Sequence, residues 1–96
     1  MLLKLYWGSM PQPAATQIEA AVMEILKEVS RRPIEPALHD DLVADLGFDS
    51  LQILEVIGEL EDRFGVSVPG DEVPAARTVA QVVTEMTRLI NVRSGQ

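Results

Sequence analysis

The stretch LGFDSLQILEVIGELEDRF, from Leu46 to Phe64, contains the start, both faces and the end of one amphipathic helix. Its segment DSLQ, residues 49–52, has the pattern of a capping box, in which the aspartate and the glutamine each accept a hydrogen bond from an unpaired backbone N–H. The glycine that follows Phe64 is typical of a helix C-terminus. We therefore predict a helix that begins at Ser50, with Asp49 as its N-cap, and ends at Gly65.

The apolar residues of this helix fall into two groups on a helical wheel of about 100° per residue. One group shares an arc that should face the core: Ile53, Val56, Ile57, Leu60 and Phe64. The other group, Leu51, Leu54 and Gly58, lies outside that arc, beside Glu55, Glu59, Glu61 and Asp62. Folding does not require the second group, so we predict that it forms a docking face for partner proteins.

Two more helices are predicted from the same signals. Residues 16–19, TQIE, fit a capping box and open an apolar stripe of helical period: Ile18, Ala21, Val22, Ile25, Leu26 and Val29. Pro33 prevents this helix from continuing beyond about Arg31 or Arg32. Residues 78–81, TVAQ, open the last helix, whose stripe is Val79, Val82, Val83, Met86, Leu89 and Ile90.

A long connection separates the first two helices, and it should be ordered. Between Pro33 and Asp49 it keeps five apolar residues that we expect to hold it against the core: Ile34, Leu38, Leu42, Val43 and Leu46. Residues 71–73, DEV, predict one short helical turn before Pro74. The predicted fold class is all-α, a small bundle of three main helices plus a short extra helical turn, with a long ordered loop between the first and second helices.

Composition excludes several kinds of function. The 96 residues suffice for one small domain, and the absence of cysteine with a single histidine, His39, argues against disulfides and metal sites. The net charge of −7 argues against nucleic-acid binding. From Glu35 to Glu72 there are eleven acidic residues and one arginine, so the negative field surrounds Ser50 and could steer basic partners.

The ends of the chain are expected to lie outside the domain. The first ten residues, MLLKLYWGSM, are too short to span a bilayer and lack a secretory cleavage pattern, so we expect a cytoplasmic protein without membrane insertion. Gly8-Ser9 resembles a cloning junction before Met10, so residues 1–9 are interpreted as a vector-derived or disordered tail, with a natural apolar tail as the alternative. Residues 10–91 should form the domain, and residues 92–96 should fray.

Three interpretations of Ser50 compete. A hydrolytic nucleophile would need a base, an oxyanion hole and a pocket, and Phe48 stands where the Gly-Asp-Ser-Leu block of some esterases has its glycine. A purely structural serine would help begin the helix, but it would leave the exposed leucines beside the acids unexplained. A site of covalent modification fits best, because a phosphate at a helix N-terminus meets free N–H groups and the positive end of the helix dipole.

The segment LGFDSLQILEVIGELEDRFGVSVP, residues 46–69, resembles the signature of acyl carrier proteins and peptidyl carrier domains. The likeness extends more weakly over residues 14–91. It implies a carrier that is not an enzyme, in which Ser50 receives 4′-phosphopantetheine from coenzyme A as a phosphodiester. The thiol of this arm would hold an acyl or aminoacyl group as a thioester, which explains how a chain without cysteine could handle one.

The resemblance also implies a recognition surface and a set of partners. The family's recognition surface falls, position by position, on Asp49, Leu51, Leu54, Glu55, Glu61 and Asp62, and Gly58 and Glu59 lie on the same face. The expected partners are a phosphopantetheinyl transferase, an acyl- or aminoacyl-loading ligase or transferase, and synthase or condensing enzymes, which would meet the carrier as a monomer.

Three departures from the family pattern favour a specialised pathway, for a polyketide, a nonribosomal peptide or a modified lipid. Gln52 stands where many fatty-acid carriers have an acid, Gly58 stands where they often have a larger apolar residue, and Arg63 interrupts the acidic run. The alternatives are a housekeeping carrier of fatty acid synthesis and, from another class, a structural acidic helical interaction module.

Overall fold

The computed structural model describes residues 15–69 and 76–94. Three helices follow one another along the chain: α1 (Ala15–Val29), α2 (Ser50–Phe64) and α3 (Val79–Ser94). Within the described residues no strand forms, and the one β contact is a single antiparallel bridge between Asp41 and Thr78. The all-α prediction is confirmed. The predicted tail at residues 1–9 and the predicted turn at residues 71–73 lie outside the described residues.

Helix α1 forms the centre of the bundle, because it packs against both α2 and α3. The predicted stripe is confirmed: five of its six residues, Ile18, Ala21, Val22, Ile25 and Leu26, are buried, and Val29 is half-buried against the core. The predicted capping box of residues 16–19 is wrong. Alanine is the strongest helix former, and the helix already includes Ala15, so Thr16 lies within the first turn rather than at the N-cap.

Helix α2 begins at Ser50 and ends at Gly65, as predicted, but its buried face is rotated from the predicted arc. The most deeply buried side chains are Gln52, Val56 and Leu60, spaced four residues apart along the side that faces α1. The remaining members of the predicted arc, Ile53, Ile57 and Phe64, are half-buried. Gln52 therefore occupies an edge of the core, whereas the helical wheel had predicted only apolar residues on the buried face.

The long connection contains a helical turn at residues 41–46 that the sequence analysis missed. The carboxylate of Asp41 caps this turn, since its Oδ1 accepts hydrogen bonds from the N–H groups of Val43 and Ala44 at 2.9 and 2.8 Å. Leu42, Leu46 and Phe48 reach the core. Val43, on the outer side of the turn, is 59% exposed, and Leu38 is 40% exposed, so the prediction that these two hold the loop to the core is wrong.

The same connection is hydrogen-bonded to the start of α3. The N–H of Leu42 donates to the carbonyl of Arg77 at 2.8 Å, and the N–H of Val79 donates to the carbonyl of Asp40 at 3.0 Å. The predicted capping box of α3 is confirmed: the Gln81 N–H donates to Thr78 Oγ1 at 3.2 Å, and the Thr78 N–H donates to Gln81 Oε1 at 3.0 Å. These bonds fix Arg77 beside the turn at residues 41–46. Helix α3 continues to Ser94, past the predicted domain end at residue 91.

Candidate functional site

Ser50 is the first residue of α2, and its side chain is exposed. Asp49 performs the capping, since its Oδ1 accepts a hydrogen bond from the Gln52 N–H at 2.8 Å. The Ser50 hydroxyl makes no hydrogen bond or ion pair with any described residue. A hydroxyl that is exposed, unbonded and set at the positive end of a helix is free to be modified with an anionic group.

Ser50 lines an open groove of about 520 Å³ between α2, the turn at residues 41–46 and the segment before α3. Most of its walls are apolar, formed by Leu42, Val43, Ile53, Leu54 and Ala76. Two charged residues complete the described lining, and they face each other: Arg77 Nη2 lies 3.6 Å from Asp41 Oδ2. The groove therefore offers a hydroxyl, an apolar wall and one cation at its edge.

The pKa of the Asp41 carboxyl lies below its usual value of 3.8. The main cause is the hydrogen bond from the Ala44 N–H, and partial burial opposes it. The N–H of Val43 and the nearby Arg77 guanidinium lower the pKa further. This carboxylate is therefore ionised at neutral pH and keeps a negative charge in the groove.

The arrangement around Ser50 lacks the parts of a hydrolase among the described residues. His39 does not line the groove, its side chain is 87% exposed, and its Nε2 lies 3.7 Å from Asp40 Oδ1 rather than near Ser50. No cluster of residues suited to hold a metal ion, and no helix able to cross a membrane, occurs in the part of the chain that the structure describes.

The docking candidates differ in how far the fold already uses them. Leu51 and Leu54 are 59% and 55% exposed, which confirms that they lie outside the core face. Glu55, Glu59 and Asp62 are exposed and form no ion pair with a described residue. A Cβ added at Gly58 would meet nothing within 4 Å, so this position faces open space.

Two of the predicted docking residues have structural partners. The half-buried Glu61 accepts a hydrogen bond from the Val68 N–H at 2.8 Å and so holds the segment after α2. Asp49 caps α2 with Oδ1, and its Oδ2 lies 3.6 Å from Nη1 of Arg31. Only part of either carboxylate is therefore available to a partner.

Gln52 and Arg63, two of the departures from the family pattern, also have structural explanations. Gln52 is 4% exposed, and its Nε2 lies 3.4 Å from the carbonyl of Val29 at the end of α1. An acid there would place an acceptor against that carbonyl. Arg63 donates to Glu24 of α1 at 3.3 Å from both terminal nitrogens. Both residues therefore join α2 to α1, and neither one alone identifies a pathway.

An apolar cavity of about 40 Å³ lies between α2 and α3. Apart from Glu85 the described residues of its lining are hydrophobic, and they include Phe48, Ile57, Val68, Met86 and Leu89. It exceeds the space that one water needs, but it offers little to hydrogen-bond with. Ile57 therefore faces a void as well as neighbouring side chains, which explains its partial burial.

Sequence reasoning did not assign the residues that surround Ser50 from outside α2. Val43 lies in the loop before α2 and Arg77 lies before α3, and they line the same groove because hydrogen bonds join the turn at residues 41–46 to the start of α3. The capping pattern of residues 78–81 located the start of α3, but no signal in the sequence predicts its pairing with the loop.

Comparisons with known proteins agree with this geometry. The family model for the phosphopantetheine attachment site matches residues 20–86. The chain is 38% identical over 79 residues to the meromycolate extension acyl carrier protein of Mycobacterium leprae, covering 79% of this chain and 69% of the relative. It is 36% identical over 70 residues to the tetracenomycin polyketide synthase acyl carrier protein of Streptomyces glaucescens, covering 69% and 84% of the two chains.

A solved structure assigned as an acyl carrier protein from Mycobacterium tuberculosis superimposes with a TM-score of 0.70 at 31% identity. The alignment covers 74% of this chain and 96% of the other. The chain therefore belongs to the acyl carrier proteins, which are carriers rather than enzymes and bear a covalently attached 4′-phosphopantetheine arm.

Proposed function

We propose that Ser50 is the residue that carries the arm. The observation that supports this assignment is its unbonded, exposed hydroxyl at the N-terminus of α2, lining the open groove. The phosphodiester would lie at the positive end of the α2 dipole, where an anion is stabilised by about 0.3–1 kcal/mol. Asp49 would continue to cap the helix after modification, because its Oδ1 already accepts the Gln52 N–H.

Two other serines with described side chains are less suitable. Ser30 follows the C-terminus of α1, where the helix dipole disfavours an anion, and its Oγ already donates to the carbonyl of Arg32 at 2.5 Å. Ser67 is exposed, but it lies in the segment after α2 and not at the start of a helix. The contrast supports Ser50.

The chemistry of attachment belongs to a partner enzyme. Ser50 Oγ forms a bond to the phosphorus of the phosphopantetheine part of coenzyme A, the pyrophosphate P–O bond breaks, and adenosine 3′,5′-bisphosphate leaves. A base on the transferase takes the hydroxyl proton, since no histidine lines the groove among the described residues. The carrier contributes an accessible hydroxyl and a docking surface.

That docking surface is the exposed side of α2, formed by Leu51, Leu54 and the open position at Gly58, with Glu55, Glu59 and Asp62 around them. The leucines supply an apolar anchor, and the unpaired carboxylates attract basic partners over a distance of about 10 Å at moderate salt. Asp49 and Glu61 also belong to this face, with part of each carboxylate used in the fold. One face of this kind can serve the transferase, the loading enzyme and the synthase in turn.

The cargo of this carrier belongs to a specialised pathway. Two relatives act, by their names, in meromycolate extension and in a tetracenomycin polyketide synthase, while a third, from Rhodococcus erythropolis, is named only as an acyl carrier protein. Gly58 is the departure that the fold does not explain, because a larger side chain would meet nothing there. A partner that contacts the bare backbone at Gly58 would be distinct from one that serves housekeeping fatty acid synthesis.

The carrier acts as a monomer in the cytoplasm, where coenzyme A supplies the arm. Successive partners need the same α2 face, so a permanent dimer through that face would block them. Sedimentation of the loaded protein gives its mass in solution, and a dimer that buries Leu54 would contradict this part of the proposal.

Intact mass tests the assignment of Ser50. After incubation with coenzyme A and a transferase of broad specificity, the protein should gain the mass of one phosphopantetheine, and Ser50→Ala should gain none. Ser67→Ala is the matched control and should be loaded like the native protein. Loading of the Ser50→Ala variant would place the arm elsewhere.

A further inference from the structure

We propose that Arg77 binds the phosphodiester of the arm in the groove beside Ser50. This inference rests on the proposed attachment at Ser50 and goes beyond it, because it assigns to the phosphate a binding residue that lies outside α2. Among the described residues that line the groove, Arg77 is the one cation, and Ser50 lines the same groove.

The backbone of Arg77 is fixed while its side chain remains exposed. Its carbonyl accepts a hydrogen bond from the Leu42 N–H at 2.8 Å, and its N–H donates to Gln81 Oε1 at 2.6 Å. The side chain is 75% exposed. A long side chain on a fixed anchor can change rotamer towards a nearby anion without any shift of the fold.

The present partner of Arg77 holds it weakly. Nη2 lies 3.6 Å from Asp41 Oδ2, a contact longer than a hydrogen bond, and the Arg77 side chain is 75% exposed to water that screens it. Arg77 can therefore exchange Asp41 for a phosphate at small cost. A guanidinium can donate two parallel hydrogen bonds to phosphate oxygens, which makes the new pair the stronger one.

The arm also needs a nearby cation. A phosphodiester on Ser50 would lie beside the carboxylate of Asp49 in sequence and share the groove with that of Asp41, and like charges repel. Arg77 supplies the compensating charge in the groove itself.

Arg31 is the rival cation. Its Nη1 lies 3.6 Å from Asp49 Oδ2, so it is near the residue that precedes Ser50, but it does not line the groove. The test must separate these two arginines, and it can use Arg88 as a remote control, because that side chain is bonded to Glu85 within α3.

The experiment compares apo and loaded protein by NMR, with loading verified by intact mass. We expect the Arg77 Nε–H resonance to shift when the arm is attached, and the phosphorus resonance of the loaded protein to shift in Arg77→Gln. The pantetheine methyl groups should become more mobile in that variant. Arg77→Lys should keep part of the native phosphorus shift and of the arm's restraint, because lysine retains the positive charge but cannot donate two parallel hydrogen bonds. High salt screens the charge pair, so the phosphorus shift and the arm mobility of the native loaded protein should approach those of Arg77→Gln.

Each other outcome counts against the inference. An Arg77 resonance that is unchanged on loading, with arm mobility in Arg77→Gln equal to that of Arg88→Gln, would overturn it while leaving Ser50 as the attachment site. A larger effect from Arg31→Gln would assign the phosphate to Arg31. A protein that gains no arm at all would instead refute the assignment of Ser50, and this inference with it. Because the first comparison uses the native sequence, it does not depend on whether a variant folds.

Discussion

Asp49 and Gln52 close a reciprocal capping box at the start of α2: the Gln52 N–H donates to Asp49 Oδ1 at 2.8 Å, and the Asp49 N–H donates to Gln52 Oε1 at 3.1 Å. Gln52 also reaches across to the Val29 carbonyl at 3.4 Å. Asp49, directly before the candidate attachment site, and Gln52, two residues after it, are thus fixed in a cap, while the Ser50 hydroxyl makes no hydrogen bond with a described residue. The cap therefore leaves the Ser50 hydroxyl exposed and does not need it as a hydrogen-bond partner.

Gln52→Ala tests this arrangement. We expect the free energy of unfolding to fall by about 1–2 kcal/mol, because the variant loses one half of the capping box and a bond to α1. Gln52→Glu keeps an acceptor for the Asp49 N–H but loses the donor to Val29, so it should also be less stable than the native protein. Urea denaturation measures both. Native stability in both variants would show that these hydrogen bonds of Gln52 do not stabilise the fold.

Ser50→Ala should leave stability almost unchanged, within about 0.5 kcal/mol, because Asp49 provides the cap and Ser50 is exposed. Leu60→Ala is the contrasting core change: that side chain is 1% exposed, and its truncation should cost about 2–5 kcal/mol. Ile57→Ala should cost only about 1 kcal/mol, since Ile57 is half-buried beside a cavity. Thermal unfolding ranks the three, and a Ser50 variant as unstable as Leu60→Ala would make the serine structural.

Patterns of local sequence were sufficient to predict the three helices, the capping boxes of α2 and α3, and the exposure of Leu51 and Leu54. They failed where distant segments meet. The helical wheel places Gln52 among the polar positions, yet its side chain is buried, because its amide donates to the carbonyl of Val29 at the end of α1. Val43 reads as a core residue in a loop, but the cap that Asp41 supplies turns it outward. No pattern in the sequence predicted that Arg77 would line the groove beside Ser50.

Glu61 and Glu59 should respond differently to truncation, although both were predicted to dock partners. Glu61→Ala removes the acceptor for the Val68 N–H and should lower the free energy of unfolding by about 1–2 kcal/mol. Glu59→Ala removes an exposed carboxylate that has no described partner, so its effect should stay within about 0.5 kcal/mol. Urea denaturation of the two variants decides it, and equal stabilities would mean that the bond to Val68 contributes nothing.

Asp41 predicts a dependence of stability on pH. Its pKa in the folded protein is lowered below 3.8, chiefly by the Ala44 N–H, so the unfolded chain takes up this proton at a higher pH than the folded one. The stabilisation from Asp41 is therefore complete above the unfolded pKa, and it is lost as pH falls through the folded pKa. Asp41→Asn should be less stable than the native protein at pH 7, with the difference shrinking in acid.

Denaturant titrations at neutral and acid pH measure that difference. Asp62→Asn serves as the control, because Asp62 is exposed and has no described partner, and its difference from the native protein should be small at both pH values. A gap between Asp41→Asn and the native protein that stays constant through the acid range would mean that the capping bonds, rather than the charge, carry the whole effect.

Leu54→Ala tests the docking face. The side chain is 55% exposed, so the melting temperature should hardly change, while transfer of the arm should slow when the carrier is limiting. The loss should appear mainly in kcat/KM, because an encounter contact alters binding more than chemistry. Glu55→Lys should slow transfer further and weaken its salt dependence, since it removes one attraction for a basic partner and adds a repulsion.

The same assay needs a charge change away from the docking face for comparison. Glu28→Lys alters α1, where Glu28 is exposed and has no described partner, and it changes net charge by the same amount as Glu55→Lys. If the acidic field acts as a whole, the two variants should slow transfer equally. If the α2 face is the contact, Glu55→Lys should be clearly slower at low salt, and the difference should shrink as salt screens the charges. Normal transfer kinetics in both Leu54→Ala and Glu55→Lys would exclude this face as the docking site, because each residue is exposed and its replacement leaves the fold intact.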